Sequence, residues 1–546
     1  MPTFELRDVT FSYSESPLLD GISLTVGSGE RACLVGPNGS GKTTLLRIAA
    51  GGLSPAHGEV RIREGVSLSS ALVPDPSKAS GTVKDYLDEA LKDVRNLLKR
   101  FDELAALIGQ GSASRELNDE YDELLSRLIT LDAWSLDTQV NETLAGLGLE
   151  NLSAMGTSRL MRELSPGQQR RVELAALILS KPTALILDEP TNHLDEEATA
   201  YLVDKVMNWP GPVLFASHDR AFIEAVATVI YDLDTGVWQA LVTAAGGGKL
   251  PGAYRCRGNY SNYLVEKRRA NAEHQKIHAA QQGEKKEIRM HRRLSEDIAL
   301  GGVRLATAEG KARKFFSDRA AATSVRRTRG DDQRLEDLAR IEVRKPRNYS
   351  LSIALPDVKA RPGLAVSARN ATVRGRLRPT TFDLSYGEHL LITGANGAGK
   401  TTLLNWIAFG APPSEIDAIS SGTISVSAKV AHVPQRLPKA SDPGFNMKIW
   451  EGGIGELGSG ILHPSMWHTA VPDLSDGNQR RAQIATAVSE KAEILVIDEP
   501  TNYLDLATIE ALEDALESWG GTLIVASHDR WLIDHWEGRR LNLEPI

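Results

Sequence analysis

Gly36-Pro37-Asn38-Gly39-Ser40-Gly41-Lys42-Thr43-Thr44 and Gly394-Ala395-Asn396-Gly397-Ala398-Gly399-Lys400-Thr401-Thr402 are two copies of one glycine-rich turn, each behind an apolar run and ahead of a helical pattern. Glycines so placed let backbone N–H groups curl around phosphate oxygens at a helix N-terminus, where the helix dipole favours an anion. In such a loop the lysine meets the β- and γ-phosphates and the first threonine hydroxyl holds Mg2+. Lys42, Lys400, Thr43 and Thr401 are therefore the expected nucleotide and metal ligands. Downstream, each copy carries Leu-Ser-x-Gly (Ser165, Gly167, Gln168; Ser475, Gly477, Asn478), an apolar run closing on Asp188-Glu189 or Asp498-Glu499, and Ser-His-Asp-Arg containing His218 or His528. From aspartate to histidine both copies run 30 residues, but from lysine to serine the first takes 123 and the second 75. The first copy alone therefore holds an insertion of 48 residues.

Repetition of strand, glycine turn and helix predicts an α/β fold class with two P-loop nucleotide-binding domains. ATP and Mg2+ are the expected cofactors. The strand-end aspartates, Asp188 and Asp498, suit the magnesium shell, and Glu189 and Glu499 can polarise the attacking water. His218 and His528, each after an apolar strand, suit a γ-phosphate sensor. Such histidines are otherwise satisfied core residues, and strand-end carboxylates are otherwise helix caps. Their joint recurrence at fixed spacing favours the catalytic reading.

The 546 residues carry a formal charge of −8, with 41% hydrophobic residues, enough for ordinary soluble cores. No run long enough to span a bilayer occurs, and the opening residues lack a signal-peptide pattern, so a cytoplasmic chain is expected. Cys33 and Cys256 are too few for a zinc or iron–sulfur site and read as inert thiols. The global charge conceals a local one: residues 255–345 hold 23 Lys/Arg against 13 Asp/Glu, a balance of +10 beside −18 for the remainder.

Three segments follow from these patterns. Residues 1–245 form the first nucleotide-binding domain, with a helical hairpin at about 84–134 in which Leu87, Leu91, Val94, Leu98 and Phe101 recur at helical spacing before Gly109–Ser114 breaks the pattern. Residues 246–346 form a basic helical hairpin, its first helix expected from Ser261 to about Ala299, its turn at Gly301-Gly302 and its tip at 300–305. The apolar seam there (Leu264, Ile277, Ile288, Leu294, Ile298) is thin for a coiled coil. Residues 347–546 form the second nucleotide-binding domain.

The chain resembles the ABC ATPases over about 450 residues. The resemblance implies that the loops at Ser165–Gln168 and Ser475–Asn478 cap the nucleotide of the opposite cassette. One composite site would join Lys42, Asp188, Glu189 and His218 to Ser475 and Gly477. The other would join Lys400, Asp498, Glu499 and His528 to Ser165 and Gly167. Tyr13 matches the family's adenine-stacking aromatic, where the second copy offers Arg374 and Arg376, and Gln435 matches its magnesium-side glutamine. Asp75 replaces that glutamine in the first copy, and Asp476 replaces a signature glycine. Both departures fall on the Lys42 site.

Within the family the chain looks like the ABC-F subfamily, on the segments Asp188–Asp195, the two Ser-His-Asp-Arg stretches and Gly258-Asn-Tyr-Ser-Asn-Tyr263. This implies a monomer with intramolecular cassette pairing and no transmembrane partner. It further implies binding of the ribosome, both rRNA and P-site tRNA, through Arg289, Arg292, Arg293, Leu300 and Arg304 of the basic linker. An arginine-rich rod suits RNA phosphates without sequence readout. A housekeeping translation factor and an antibiotic-protection protein share all these motifs. The alternative, an ATPase subunit energising a membrane importer, has no use for a basic hairpin.

Overall fold

The structure, a computed structural model, describes all residues except 1–3, 63–67, 72–80, 110–113, 153–157, 193, 305–328, 347–352, 354, 359–360, 396 and 413–419; of residues 295–304 it describes the backbone. The apolar runs become the central strands of two mainly parallel sheets. In the first the order is Leu68–Ala71, Ala184–Asp188, Val213–Ala216, Arg31–Val35, Val229–Asp232 and an antiparallel edge, Tyr254–Arg257. In the second it is Val430–Val433, Ile494–Asp498, Thr522–Ala526, His389–Gly394 and Arg539–Leu543. Each sheet is joined by a small antiparallel one: Phe4–Phe11, Leu19–Val26 and His57–Ile62 in the first cassette, and Leu364–Val373, Leu377–Ser385 and Ser420–Val426 in the second. Strands such as Ala184–Asp188 and Ile494–Asp498 are buried at every position, as parallel strands covered on both faces must be. Their carboxyl ends gather the phosphate loops and the Asp-Glu pairs at one rim, where open α/β sheets bind ligands.

The insertion in the first cassette is helical, as its periodicity predicts. Val83–Ala90 is followed by antiparallel helices Lys92–Gly109 and Arg115–Thr130, the latter capped by Ser114 accepting from the Leu117 amide. Leu104, Leu124 and Leu128 are buried between them, Phe101 stacks on Tyr121 at 4.7 Å, and Arg100 grips Glu120 in two bonds of 2.8 and 3.0 Å.

The linker differs from expectation in three ways. Tyr254–Arg257 pairs with Val229–Asp232, so the first sheet continues past residue 245. Its polar sequence Tyr-Arg-Cys-Arg carries no apolar alternation, and only Cys256 is buried. Second, helix Tyr260–Arg304 runs through Gly301-Gly302, so no turn forms there. Glycine in a helix interior costs only about 1 kcal/mol relative to alanine, which a long helix tolerates. The expected tip residues Leu300 and Arg304 thus lie on helical backbone; their side chains, and Leu305, fall outside the described residues. Third, polar pairs close the hairpin where the apolar seam is thin. Residues 329–341 return as a helix, and the buried Gln281 donates to Ile341 O and accepts from the Val343 amide. His274 meets Arg344 O, Lys285 pairs with Glu342 at 2.6 Å, and His291 meets the buried Asp331 at 2.8 Å. Leu294 is left 55% exposed.

The root of the linker helix is socketed in the first cassette. Asp232, fully buried, accepts from Trp238 Nε1 (3.3 Å) and Tyr263 Oη (2.9 Å) and pairs with Lys267 (3.2 Å). Tyr254 stacks on Trp238 and donates to Glu266 Oε1, while Cys256 Sγ donates to Glu266 Oε2. Burial, with that carboxylate beside it, pushes the Cys256 thiol up to about 12, and burial raises Cys33 as well, which disfavours the thiolate at both. Breaking one side of a buried pair strands the other charge. Lys267→Met is therefore expected to destabilise the protein by about 3 kcal/mol. Thermal denaturation measures this, and an unshifted midpoint would mean that Asp232 does not need its cation.

Candidate functional site

The phosphate loops adopt the backbone the glycines were expected to permit. Gly36, Gly39 and Gly41 have φ of 151°, 81° and 90°, and Gly394, Gly397 and Gly399 have 143°, 85° and 95°. A side chain at Gly41 would strike Leu19, and one at Gly399 the carbonyl of Arg376. Lys42 Nζ donates to the carbonyls of Gly36 (2.8 Å) and Pro37 (3.2 Å), and Lys400 Nζ to those of Gly394 (2.7 Å) and Ala395 (3.4 Å). Each ammonium is folded over its own loop, buried, where it can turn towards phosphate oxygens. Ser40 Oγ is buried without a hydrogen-bond partner, as a group awaiting a polar ligand would be. Thr44 and Thr402 are buried on the same helices, and Pro37 and Gly39 are exposed at the first loop's surface. Ala398 is buried beneath the second loop; Asn396 lies outside the described residues.

Thr401 Oγ1 donates to Asp498 Oδ2 at 2.7 Å, and Thr43 bonds Asp188 likewise. Hydroxyl and carboxylate are thus juxtaposed in both copies, an oxygen set that suits Mg2+. Gln435 is exposed on the turn after Val430–Val433, while its counterpart Asp75 lies outside the described residues.

Glu189 and Glu499 sit at φ of 46° and 51°, a left-handed conformation that costs non-glycine residues of order 1–3 kcal/mol and persists only where surroundings enforce it. Enforcement comes partly from arginines: Arg170 donates to Asp188 O at 2.8 Å, and the fully buried Arg480 donates to Asp498 O and Glu499 O, both at 2.8 Å, and to Pro434 O. The histidines follow. The His218 amide donates to Glu189 Oε2 (3.1 Å), and its ring lies 3.4 Å from Oε1. His528 brings Nδ1 to 2.8 Å of Glu499 Oε1. Burial, opposed by the His218 amide and reinforced by Asp188, pushes the Glu189 carboxyl up to about 8. His218 is lowered to about 4 by burial and Lys42, whereas bonding to Glu499 raises His528.

The first phosphate loop meets the second cassette directly. Asn38 N donates to Asp505 Oδ2 (3.3 Å), and Asn38 Nδ2 to Tyr503 O (3.3 Å). A Cβ on Gly477 would lie 2.7 Å from Asn38 Nδ2 and 2.8 Å from Tyr503 O, so only glycine fits there. Ser475 and Asp476 are exposed at the start of helix Asp476–Ser489, beside the half-buried Asn478. Ser165 caps its own helix in a reciprocal pair with Gln168, next to Gly167. Tyr13 is 66% exposed, edge-on to Phe11, presenting a free ring face; Arg374 and Arg376 are exposed in the second cassette.

The family described as ABC transporter matches residues 19–192 and 377–502. The chain belongs to the ABC ATPases, in their ABC-F branch. It is 32% identical to the tylosin resistance ATP-binding protein TlrC of Streptomyces fradiae, over 98% of this chain and 96% of that protein. It is 29% identical to the energy-dependent translational throttle protein EttA of Mycobacterium tuberculosis (98% and 91%), and 30% identical to the ATP-binding protein Uup of Escherichia coli K12 (98% and 79%). A crystal structure of archaeal ribosome recycling factor in complex with a ribosomal stalk protein shares the fold with TM-score 0.55 at 19% identity, covering 98% of this chain and 87% of that one. Among the described residues no helix is long and apolar enough to cross a membrane.

This ABC-F chain is thus an ATP hydrolase. Sequence reasoning passed over Asp505, Arg480 and Arg220, although each recurs in the other cassette 310 residues away as Asp195, Arg170 and Arg530. On the expectation that Glu189 takes the water's proton, its raised pKa sets the pH response. A protonated carboxyl cannot take the water's proton, so turnover at the Lys42 site is expected to rise with pH and level above about 8. Phosphate release by the Glu499→Gln protein, followed from about pH 6 to about pH 9, checks this; a flat profile would remove Glu189 from the role. Because Asp75 and Asp476 both add carboxylate to the Lys42 site, Glu499→Gln is expected to impair steady-state hydrolysis more than Glu189→Gln.

Proposed function

We propose that the chain is an Mg2+-dependent ATPase with two composite sites, which closes on ATP, binds the ribosome through its basic linker and acts on translation. The observation that carries the composite sites is the contact of Asn38 with Tyr503 and Asp505 beside Gly477, which brings the second cassette's signature glycine against the first phosphate loop. In this reading Thr43 with Asp188, and Thr401 with Asp498 and Gln435, hold the metal, which neutralises charge on the transferred phosphoryl group. The glutamates orient the attacking water and the histidines meet the γ-phosphate. Nucleotide binding draws on the loop amides Gly36–Gly41 and Gly394–Gly399, with Tyr13 stacking on adenine. The chain would act as a monomer, its two cassettes paired within it, in the cytoplasm and without a transmembrane partner.

The ribosome reading is supported by the +10 linker on an otherwise acidic chain and by relatives named as a translational throttle protein and a tylosin resistance ATP-binding protein. Arg289 and Arg293 are exposed on the linker helix; Arg292 is engaged with Asp332 at 2.9 Å, so its reversal would also open the hairpin. Leu300 and Arg304, further along that helix, would make the deeper contacts to rRNA and P-site tRNA. Similarity to the tylosin resistance protein over the whole chain favours antibiotic protection over a housekeeping role.

Replacing both bases by Glu189→Gln/Glu499→Gln is expected to slow ATP hydrolysis by about 10²- to 10⁴-fold while leaving ATP bound. That trapped protein should co-sediment with ribosomes at low salt, and Arg289→Glu/Arg293→Glu should weaken binding and flatten its salt dependence. Absence of ribosomes from the pellet would end the ribosome reading. Expression in a susceptible host should raise tolerance to tylosin, and Leu300→Ala/Arg304→Ala should abolish that gain while sparing hydrolysis. Unchanged tolerance despite ribosome binding would favour the housekeeping role.

A further inference from the structure

We propose that Arg220 is a positioning residue shared by the two ATP sites, one that makes hydrolysis at each depend on the other. The inference rests on the reading that both sites hydrolyse ATP. Arg220 stands two residues after His218, and Asp219 between them caps the helix Arg220–Val226 by accepting from the Phe222 amide. Although its chain position is in the first cassette, its guanidinium, 1% exposed, is bound by the second. It donates to Glu513 at 2.5 and 2.6 Å and to Asp529 Oδ2 at 2.9 Å.

Asp529 directly follows His528 and caps the helix Arg530–His535 through the Leu532 amide. The His528 amide in turn donates to Glu499 Oε2 at 3.3 Å, as that of His218 does to Glu189 at 3.1 Å. The two glutamates are therefore joined through two histidine loops by three hydrogen-bonded steps, of which Arg220 to Asp529 is the central one. Trp531, 5.8 Å from the guanidinium, and Tyr260, edge-on to Trp531 and bonded to Glu510, pack around this node.

A fully buried guanidinium cannot be left without its acids, because an unpaired buried charge is strongly unfavourable. A shift of one histidine loop must then carry the other or break the triad. The reciprocal residue does not duplicate the arrangement: Arg530 is 35% exposed and binds Glu196, itself 84% exposed at the start of helix Glu196–Met207. Among the described residues, Arg220 is thus the fully buried arginine that ties the two histidine loops together.

The test compares steady-state ATP hydrolysis after Glu189→Gln and after Glu499→Gln, each made in the parent and in Asp529→Asn. Asparagine retains the helix cap but removes the charge that holds Arg220. For independent sites, however unequal, the two fractional losses sum to the whole turnover; for coupled sites they sum to more. The parent is expected to exceed the whole, and the Asp529→Asn protein to return to it. A general loss of stability or activity scales every rate alike and leaves that sum unmoved, so a merely structural role is distinguished. Glu513→Gln repeats the comparison from the middle of helix Leu506–Glu517, where no cap is altered, and decides the matter if Asp529→Asn does not fold. Losses that already sum to the whole in the parent, or that exceed it equally in both variants, would overturn the inference. A parent protein without ATP hydrolysis would instead defeat the reading of the sites, and the coupling with it.

Discussion

Buried charge at the cassette boundary is the constraint on which the rest of this structure depends. Neither sheet can end in Asp-Glu without donors for four carboxylates, and the donors come from elements far apart in sequence: threonines of the phosphate-loop helices, amides of the histidine loops, and arginines of the signature helices holding the carbonyls behind them. Parallel strand order makes this possible, because it delivers every strand's carboxyl end to the same rim. The left-handed Glu189 and Glu499 show that the rim is held against local preference. Such strain is maintained by packing of whole cassettes, not by any neighbouring residue in the chain.

The chemistry was legible in the sequence because it is periodic and duplicated. A glycine loop, an Asp-Glu strand end and a histidine at equal spacing in two copies leave little room for coincidence, and the helical arm declared itself by apolar spacing. What escaped notice was polar. Strand Tyr254–Arg257 buries one cysteine between two arginines and offers no alternation to read. The linker hairpin takes its register from Gln281, His274 and Asp331, side chains whose burial no apolar pattern announces. At Gly301-Gly302 glycine was overvalued as a breaker within a helix of 45 residues. Arg220 and Asp505 were visible only as recurrences, because their partners lie hundreds of residues away.

Duplication has not kept the two sites alike. His218 is three-quarters buried and turns Nε2 towards Glu189, while His528 is 60% exposed and turns Nδ1 towards Glu499 at a shorter distance. Glu189 keeps 23% of its side chain accessible and Glu499 3%. The phosphate loop over which Lys42 folds also touches Asp505 of the other cassette, through Asn38. The same residue types thus meet different surroundings in the two cassettes.

The linker root touches both cassettes. Asp232 fixes the helix Tyr260–Arg304 to the first sheet through Tyr263, Lys267 and, by way of Trp238, the stacked Tyr254. Its first residue, Tyr260, touches the second cassette through Glu510, one helical turn from the Glu513 that binds Arg220. A helix of 45 residues extends about 67 Å at ~1.5 Å per residue, so a rotation of a few degrees at this root displaces its far end by several ångströms. The base of this rod is thus tied to the second cassette as well as to the first. The buried Asp232, paired with Lys267 and bonded by Tyr263, holds that rod to the first sheet, because an unpaired charge there would be strongly unfavourable.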